Sequence, residues 1–153
     1  MPLFSWLLKK QTGDIFLLLK GVFFLQLRED IPNFSWAEVV SGFEPNKRFW
    51  DHMEKLQALR DWWKAPFKVT SGYRSEKHNE LIAGSKNSQH KIFATDIIPS
   101  TKSSRIEKPS LPNAIDLLAD KADEIGFDGI GIYDVFIHLD LRGKKARWNN
   151  RTK

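Results

Sequence analysis

A mixed α+β domain is what the sequence predicts, on three observations. Two long segments carry helical periodicity, short apolar or alternating runs lie between them, and Pro or Gly stands at most junctions. The elements read in the order helix, strand, helix, strand, helix, strand, strand. That order implies a small mixed antiparallel sheet with flanking helices.

The first stretch, 1–32, is the most apolar part of the chain, and two short helices are expected within it. Asp30-Ile31-Pro32-Asn33 breaks it, and 33–150 is expected to form the main domain. Ser35 and Glu38 have the spacing of a capping box, so a short helix is expected to start there and to close at Gly42 and Pro45. Between Asn46 and Lys64 the apolar positions Phe49, Met53, Leu56, Leu59 and Trp62 recur every three or four residues, which predicts a helix. Pro66 stops it. Phe67-Lys68-Val69-Thr70 alternates like a half-buried strand, and Ser71-Gly72 turns the chain. A short helix is expected from Glu76 to Ile82, then a loop over 83–88. The apolar run Ile92 to Ile98 reads as a buried strand stopped by Pro99, although Asp96 within it does not belong in a core. Residues 100–112 read as a loop. Ile115, Leu117, Leu118, Ala122 and Ile125 mark a helix over 113–125 with Gly126 as its stop. Two strands are expected at 129–133 and 135–141.

The chain has 153 residues, of which 41% are hydrophobic, with eleven Phe and six Trp, enough for one real core. Its net charge of +5 is spread thinly until the last dozen positions, so a basic surface alone would favour any polyanion. No recognised nucleic-acid motif accompanies the charge, and no nucleic-acid partner is expected. The absence of Cys excludes a disulfide scaffold, a thiolate metal site and a cysteine nucleophile. Lys9, Lys10, Asp14 and Lys20 interrupt the apolar N-terminal stretch well short of the roughly 20 residues a membrane span needs, and no clear signal peptide is present. Packing on the core, or on a second copy through residues 1–30, is the expectation for that stretch, with a membrane-surface helix as the alternative.

Two of the four histidines have unusual company. His90 closes a loop shortly before Asp96, and His138 stands in the alternating run Phe136-Ile137-His138-Leu139-Asp140. Two imidazoles and a carboxylate suit a zinc ion with one position left for water. Residues two apart on a strand share a face, so His138 and Asp140 point the same way, and Asp134 joins them if the strand begins that early. Either Asp could serve as general base, or could orient His138 through its second ring nitrogen. His52 and His78 have no matching partner and are not assigned to a metal.

The blocks Thr70-Ser71-Gly72-Tyr73-Arg74-Ser75, His78-Asn79, Gly84-Ser85-Lys86-Asn87-Ser88-Gln89-His90, Ala94-Thr95-Asp96-Ile97, Gly129-Ile130-Gly131-Ile132-Tyr133 and Phe136 to Arg142 stand in a characteristic order. Together they resemble the zinc D-Ala-D-Ala carboxypeptidase family, and more narrowly its phage and bacterial peptidoglycan-peptidase branch. The similarity runs from about Phe34 to Trp148. It implies a hedgehog or DD-peptidase-like fold with zinc on the sheet face, held by His90, Asp96 and His138. It also implies a substrate carboxylate on Arg74, Ser88 lining the site, and a peptidoglycan peptide as substrate. A phage lysin or tail component acting on the wall is the implied setting.

Two departures stand out. The family usually has six residues between the first His and the Asp, one of them Gly; here there are five, Lys91 to Thr95, with Phe93 near the Gly position. Either a tighter turn compensates, or Asp96 is badly aimed and the metal is lost, leaving a non-catalytic wall-binding or structural module. Many relatives also place an acid three residues before the second His, where this chain has Val135. Asp140, ahead of Asp134, is then the candidate base.

Overall fold

A computed structural model describes residues 16–19, 22–25, 28–35, 39, 44–102 and 104–152. Two strands, β1 (Phe16–Leu19) and β2 (Val22–Leu25), pair antiparallel with Phe16 opposite Leu25. This corrects the expected helix over that part of the N-terminal stretch. Aromatic and aliphatic tetrads separated by only two residues match the shortest hairpin connection, and β pairing satisfies both backbones at once. The remainder of 1–27, the capping-box helix after Ser35, and any self-association through 1–30 lie outside the described residues. Ile31, expected to fall before the main domain, is fully buried in its core beside Phe34.

Helix α1 (Lys47–Trp63) starts where Asn46 accepts a hydrogen bond from the Phe49 N–H at 3.0 Å and ends at Lys64 in the left-handed region. Phe49, Met53, Leu56 and Leu59 face the core as expected, but Trp63, not Trp62, completes the stripe. Trp63 is fully buried and donates its indole N–H to the Ser100 carbonyl at 2.8 Å. Trp62 is left half-buried, with the Arg105 guanidinium 5.3 Å from its ring centre.

Strand β3 (Phe67–Ser71), helix α2 (Glu76–Leu81), strand β4 (Ala94–Pro99), helix α3 (Leu111–Ile125), and strands β5 (Gly129–Ile132), β6 (Ile137–Asp140) and β7 (Ala146–Asn149) follow. Helix α3 begins two residues earlier than its periodicity suggests, because Ser110 caps it and Pro112 is tolerated in a first turn. Strand β4 starts later than the apolar run suggests; Ile92 and Phe93 belong to the turn that delivers His90. Strand β7 was not expected at all, since only Ala146 and Trp148 in it are apolar.

The main sheet has the order β3-β4-β6-β5-β7 and is antiparallel except for the β5–β7 pair. Thr95 and Ile97 of β4 and Ile137 and Leu139 of β6 are buried towards α1 and α3, where they meet Ile115, Leu118 and the α1 stripe. The other face of β4 and β6 therefore carries Asp96, His138 and Asp140.

His52 of α1 is fully buried against this sheet, with Nε2 2.9 Å from Thr95 Oγ1, while its Nδ1 has no hydrogen-bond partner. Phe93 and Phe127 meet its ring edge-on at 4.8 and 5.2 Å. Burial, reinforced by His138, holds its pKa down at about 3 against an ordinary 6.5. Below pH 6.5 only the unfolded chain takes up this proton, so folding stability falls from there towards pH 3, where the folded form also protonates. His52→Phe is expected to flatten that slope, with a constant offset from the unpartnered Thr95 hydroxyl. Urea unfolding across this range checks it, and an unchanged slope would remove His52 as its source.

Candidate metal centre

The antiparallel register of β4 and β6 pairs Asp96 directly with His138. Side chains of directly opposed residues leave the sheet on the same face, so the carboxylate and the imidazole meet without any help from a loop. On the other flank β3 places Ser71 opposite Asp96, across a bulge between Val69 and Ser71. His90 comes from a 3₁₀ turn, Gln89–Lys91, closed by the Ile92 and Phe93 N–H groups donating to the Gln89 carbonyl at 2.9 and 2.8 Å. The five residues from Lys91 to Thr95 carry the chain from this turn into β4. Phe93 anchors it by packing edge-on against Phe49 at 4.7 Å in the core.

His90 Nε2 lies 3.1 Å from Asp96 Oδ2, and His138 Nδ1 lies 2.9 Å from Asp96 Oδ1. One ligand atom from each of the three residues falls within 4.8 Å of the others. Tetrahedral zinc with bonds of about 2.0–2.1 Å sets ligand atoms roughly 3.3 Å apart, so the donor set fits the ion with small adjustments. The second nitrogen of each ring is already engaged. His90 Nδ1 sits 2.7 Å from the Gly72 carbonyl, and His138 Nε2 sits 2.9 Å from Asp140 Oδ2. Both partners accept, so with an ion bound each ring would keep its N–H on this outer nitrogen and turn its inner lone pair to the metal; without one, the inner nitrogens stand at hydrogen-bond distance from Asp96.

A cleft of about 500 Å³ opens over this cluster. Arg74 and Ser88 both line it, as do Tyr133, Phe136 and Trp148. The Arg74 guanidinium rests on Ser71 Oγ through Nε at 3.0 Å and Nη2 at 2.9 Å, and Nη2 is 3.5 Å from Asp96 Oδ2. Tyr133 and Phe136 stack at 4.2 Å and form an aromatic wall.

Of the two candidate bases, only Asp140 shares the face of His138. Strand β6 begins only at Ile137, so Asp134 is not on its face; it is exposed and accepts from the Thr152 N–H at 3.1 Å. Asp140 has no exposed surface and is held between His138 and Arg142, whose Nε donates to Oδ1 at 2.9 Å. Its position behind the ring suits orientation of His138, not proton transfer at the cleft. Among the described residues Asp96 is the only carboxylate lining the cleft. Sequence reasoning also missed Ser71, Arg142 and Trp148, although all three stand within the motif blocks or at their outer edge.

A family model described as Peptidase M15 matches residues 26–140. No curated protein matches the chain. Among the described residues no helix is long and apolar enough to cross a membrane.

The charges around the cluster are strongly coupled. Burial works to raise the pKa of Asp96, yet hydrogen bonds from His138 and His90 hold it at about 2. Burial likewise opposes a charge on His138, but Asp140 and Asp96 on either side raise its pKa above the ordinary 6.5. In the metal-free protein the resulting stabilisation is complete below pH 6.5 and is lost as pH rises through the raised folded value. The His138 ring is therefore expected to titrate above 6.5 when followed by NMR in metal-free protein, and Asp140→Asn should lower that value. A ring titrating at or below the ordinary value would refute this pairing.

Proposed function

Because the chain belongs to the Peptidase M15 family, the zinc D-Ala-D-Ala carboxypeptidases, we propose that it is a zinc metallopeptidase. It hydrolyses D-amino-acid-containing stem peptides or cross-links of bacterial peptidoglycan, as a carboxypeptidase or an endopeptidase. The observation that carries this reading is the convergence of His90 Nε2, an Asp96 carboxylate oxygen and His138 Nδ1 within 4.8 Å, each ring already anchored through its other nitrogen. The sheet with helices on one face and this cluster on the other is read as the hedgehog and DD-peptidase type of α+β architecture. The polymer it acts on places its work at the cell wall, with a phage lysin or tail component as the setting.

His90, Asp96 and His138 hold the ion in this reading. A zinc ion held there would supply Lewis-acid polarisation of a peptide carbonyl and activation of water. Arg74, held at the cleft rim by Ser71, presents an oriented guanidinium to a substrate carboxylate. Ser88 lines the cleft, and Tyr133, Phe136 and Trp148 add aromatic surface to it. Asp140 fixes the tautomer and angle of His138. A second reading, a wall-binding module without hydrolysis, is favoured by one observation: Asp96 is the only carboxylate lining the cleft among the described residues.

Elemental analysis of protein purified without added zinc is expected to find about one ion per chain, lost in His90→Ala, Asp96→Ala and His138→Ala alike. Zinc retained in full by those variants would sink the ligand assignment. With the metal present, release of new amino groups from purified cell walls separates the two readings, since the binding module sediments with walls and releases none. Arg74→Lys is expected to raise KM for wall peptides several-fold with zinc content unchanged, because a point charge replaces a fork. An unaltered rate would take Arg74 out of the site.

A further inference from the structure

We propose that Arg142 and Trp148 are positioning residues that clamp His138 in its ligating orientation, acting through Asp140. The inference rests on the reading of His138 as a metal ligand. Neither residue is part of the three-residue donor set.

The chain of contacts crosses three strands. His138 Nε2 meets Asp140 Oδ2 at 2.9 Å, and Asp140 is wholly buried. Arg142 approaches both oxygens of that carboxylate, Nε to Oδ1 at 2.9 Å and to Oδ2 at 3.2 Å, and its Nη2 adds another bond to Oδ2. A planar guanidinium held this way fixes the plane of the carboxylate, and so the line along which Oδ2 accepts from the His138 ring. The guanidinium in turn lies 4.9 Å from the centre of the Trp148 ring. Trp148 is also 5.3 Å from the His138 ring and donates its indole N–H to the Tyr133 hydroxyl at 3.1 Å. The imidazole is thus bounded by the carboxylate at its edge and by the indole on its side.

Strand β5 leaves room for both groups. Gly129 pairs with Asp140, and a Cβ at Gly129 would lie 2.2 Å from the Asp140 carboxylate. Gly131 pairs with both His138 and Trp148, and a Cβ there would lie 2.3 Å from the indole ring. Any side chain at either position would push the clamp off the site. The glycines of this block therefore serve the second histidine, not the turn chemistry that Gly usually signals.

The test uses the full chain and the metal alone. Zinc affinity by chelator competition, the visible spectrum of the cobalt(II) form and the unfolding midpoint of the metal-free protein are measured for wild type, Arg142→Ala, Arg142→Lys, Trp148→Ala and Trp148→Phe. Loss of a group that orients a metal-binding histidine is expected to weaken zinc binding by about 10–100-fold. Arg142→Ala and Trp148→Ala should show this together with an altered cobalt spectrum, and Trp148→Phe, which keeps a ring under the guanidinium, should recover most of it. Arg142→Lys keeps the charge but not the fork and should stay weak; if Arg142→Ala does not fold, Arg142→Lys decides on the same readouts. Folded variants with wild-type zinc affinity and cobalt spectrum overturn the clamp alone. A wild-type chain that binds neither metal overturns the ligand assignment, and the clamp with it.

Discussion

Everything at the site depends on one backbone alignment, the antiparallel register that sets Asp96 of β4 opposite His138 of β6. Side chains alternate along a strand with a period of two, so a slip of one residue would send Asp96 to the helix face and turn an apolar neighbour into the cleft. The register is held from the opposite face. Thr95, Ile97, Ile137 and Leu139 are all fully buried against α1 and α3, and a slip would expose them at a cost of about 1.5–3 kcal/mol for each large aliphatic side chain. The packing of the core and the geometry of the site are therefore the same constraint seen from two sides of the sheet.

Concentrating polar groups on a buried face is expensive unless each is satisfied. Here the deficit is met by pairing at every step. Asp96 lies between two imidazoles, His90 gives its other nitrogen to the Gly72 carbonyl, and Asp140 is shared by His138 and Arg142. The arrangement has the character of a network, in which removing any one member strands its neighbours. It also separates two carboxylates on one face by role. Asp96 faces the cleft between the two rings, whereas Asp140 lies behind His138 and neutralises Arg142. Environment, not residue type, makes the difference.

Delivery of His90 rests on the turn that carries it. The 3₁₀ turn has fewer residues per turn than an α-helix, and five residues are enough to bring His90 Nε2 to 3.1 Å from Asp96 Oδ2. Phe93 is swallowed by the core against Phe49 and His52, so the turn is anchored by burial. His52 in turn rests on Thr95, the residue beside Asp96. The interior of α1 thus supports both the turn that carries His90 and the strand that carries Asp96.

By itself the sequence determined the two long helices, the strand runs that hold Asp96 and His138, and the identity of the His, Asp and His set, because periodicity and motif order are properties of neighbouring residues. Tertiary structure alone decided the rest. How closely five residues bring His90 to Asp96 depended on a turn anchored by Phe93. Whether Asp140 faces the cleft or stands behind His138 depended on Arg142 and on the space above Gly129. Trp148 reaches the site only because β7 joins β5 in parallel, and Ala146 to Asn149 is too short a run for its alternation to announce that pairing. The β1–β2 pair was misread for a related reason: four-residue apolar runs suit helix and strand equally, and only a partner across the hairpin separates them.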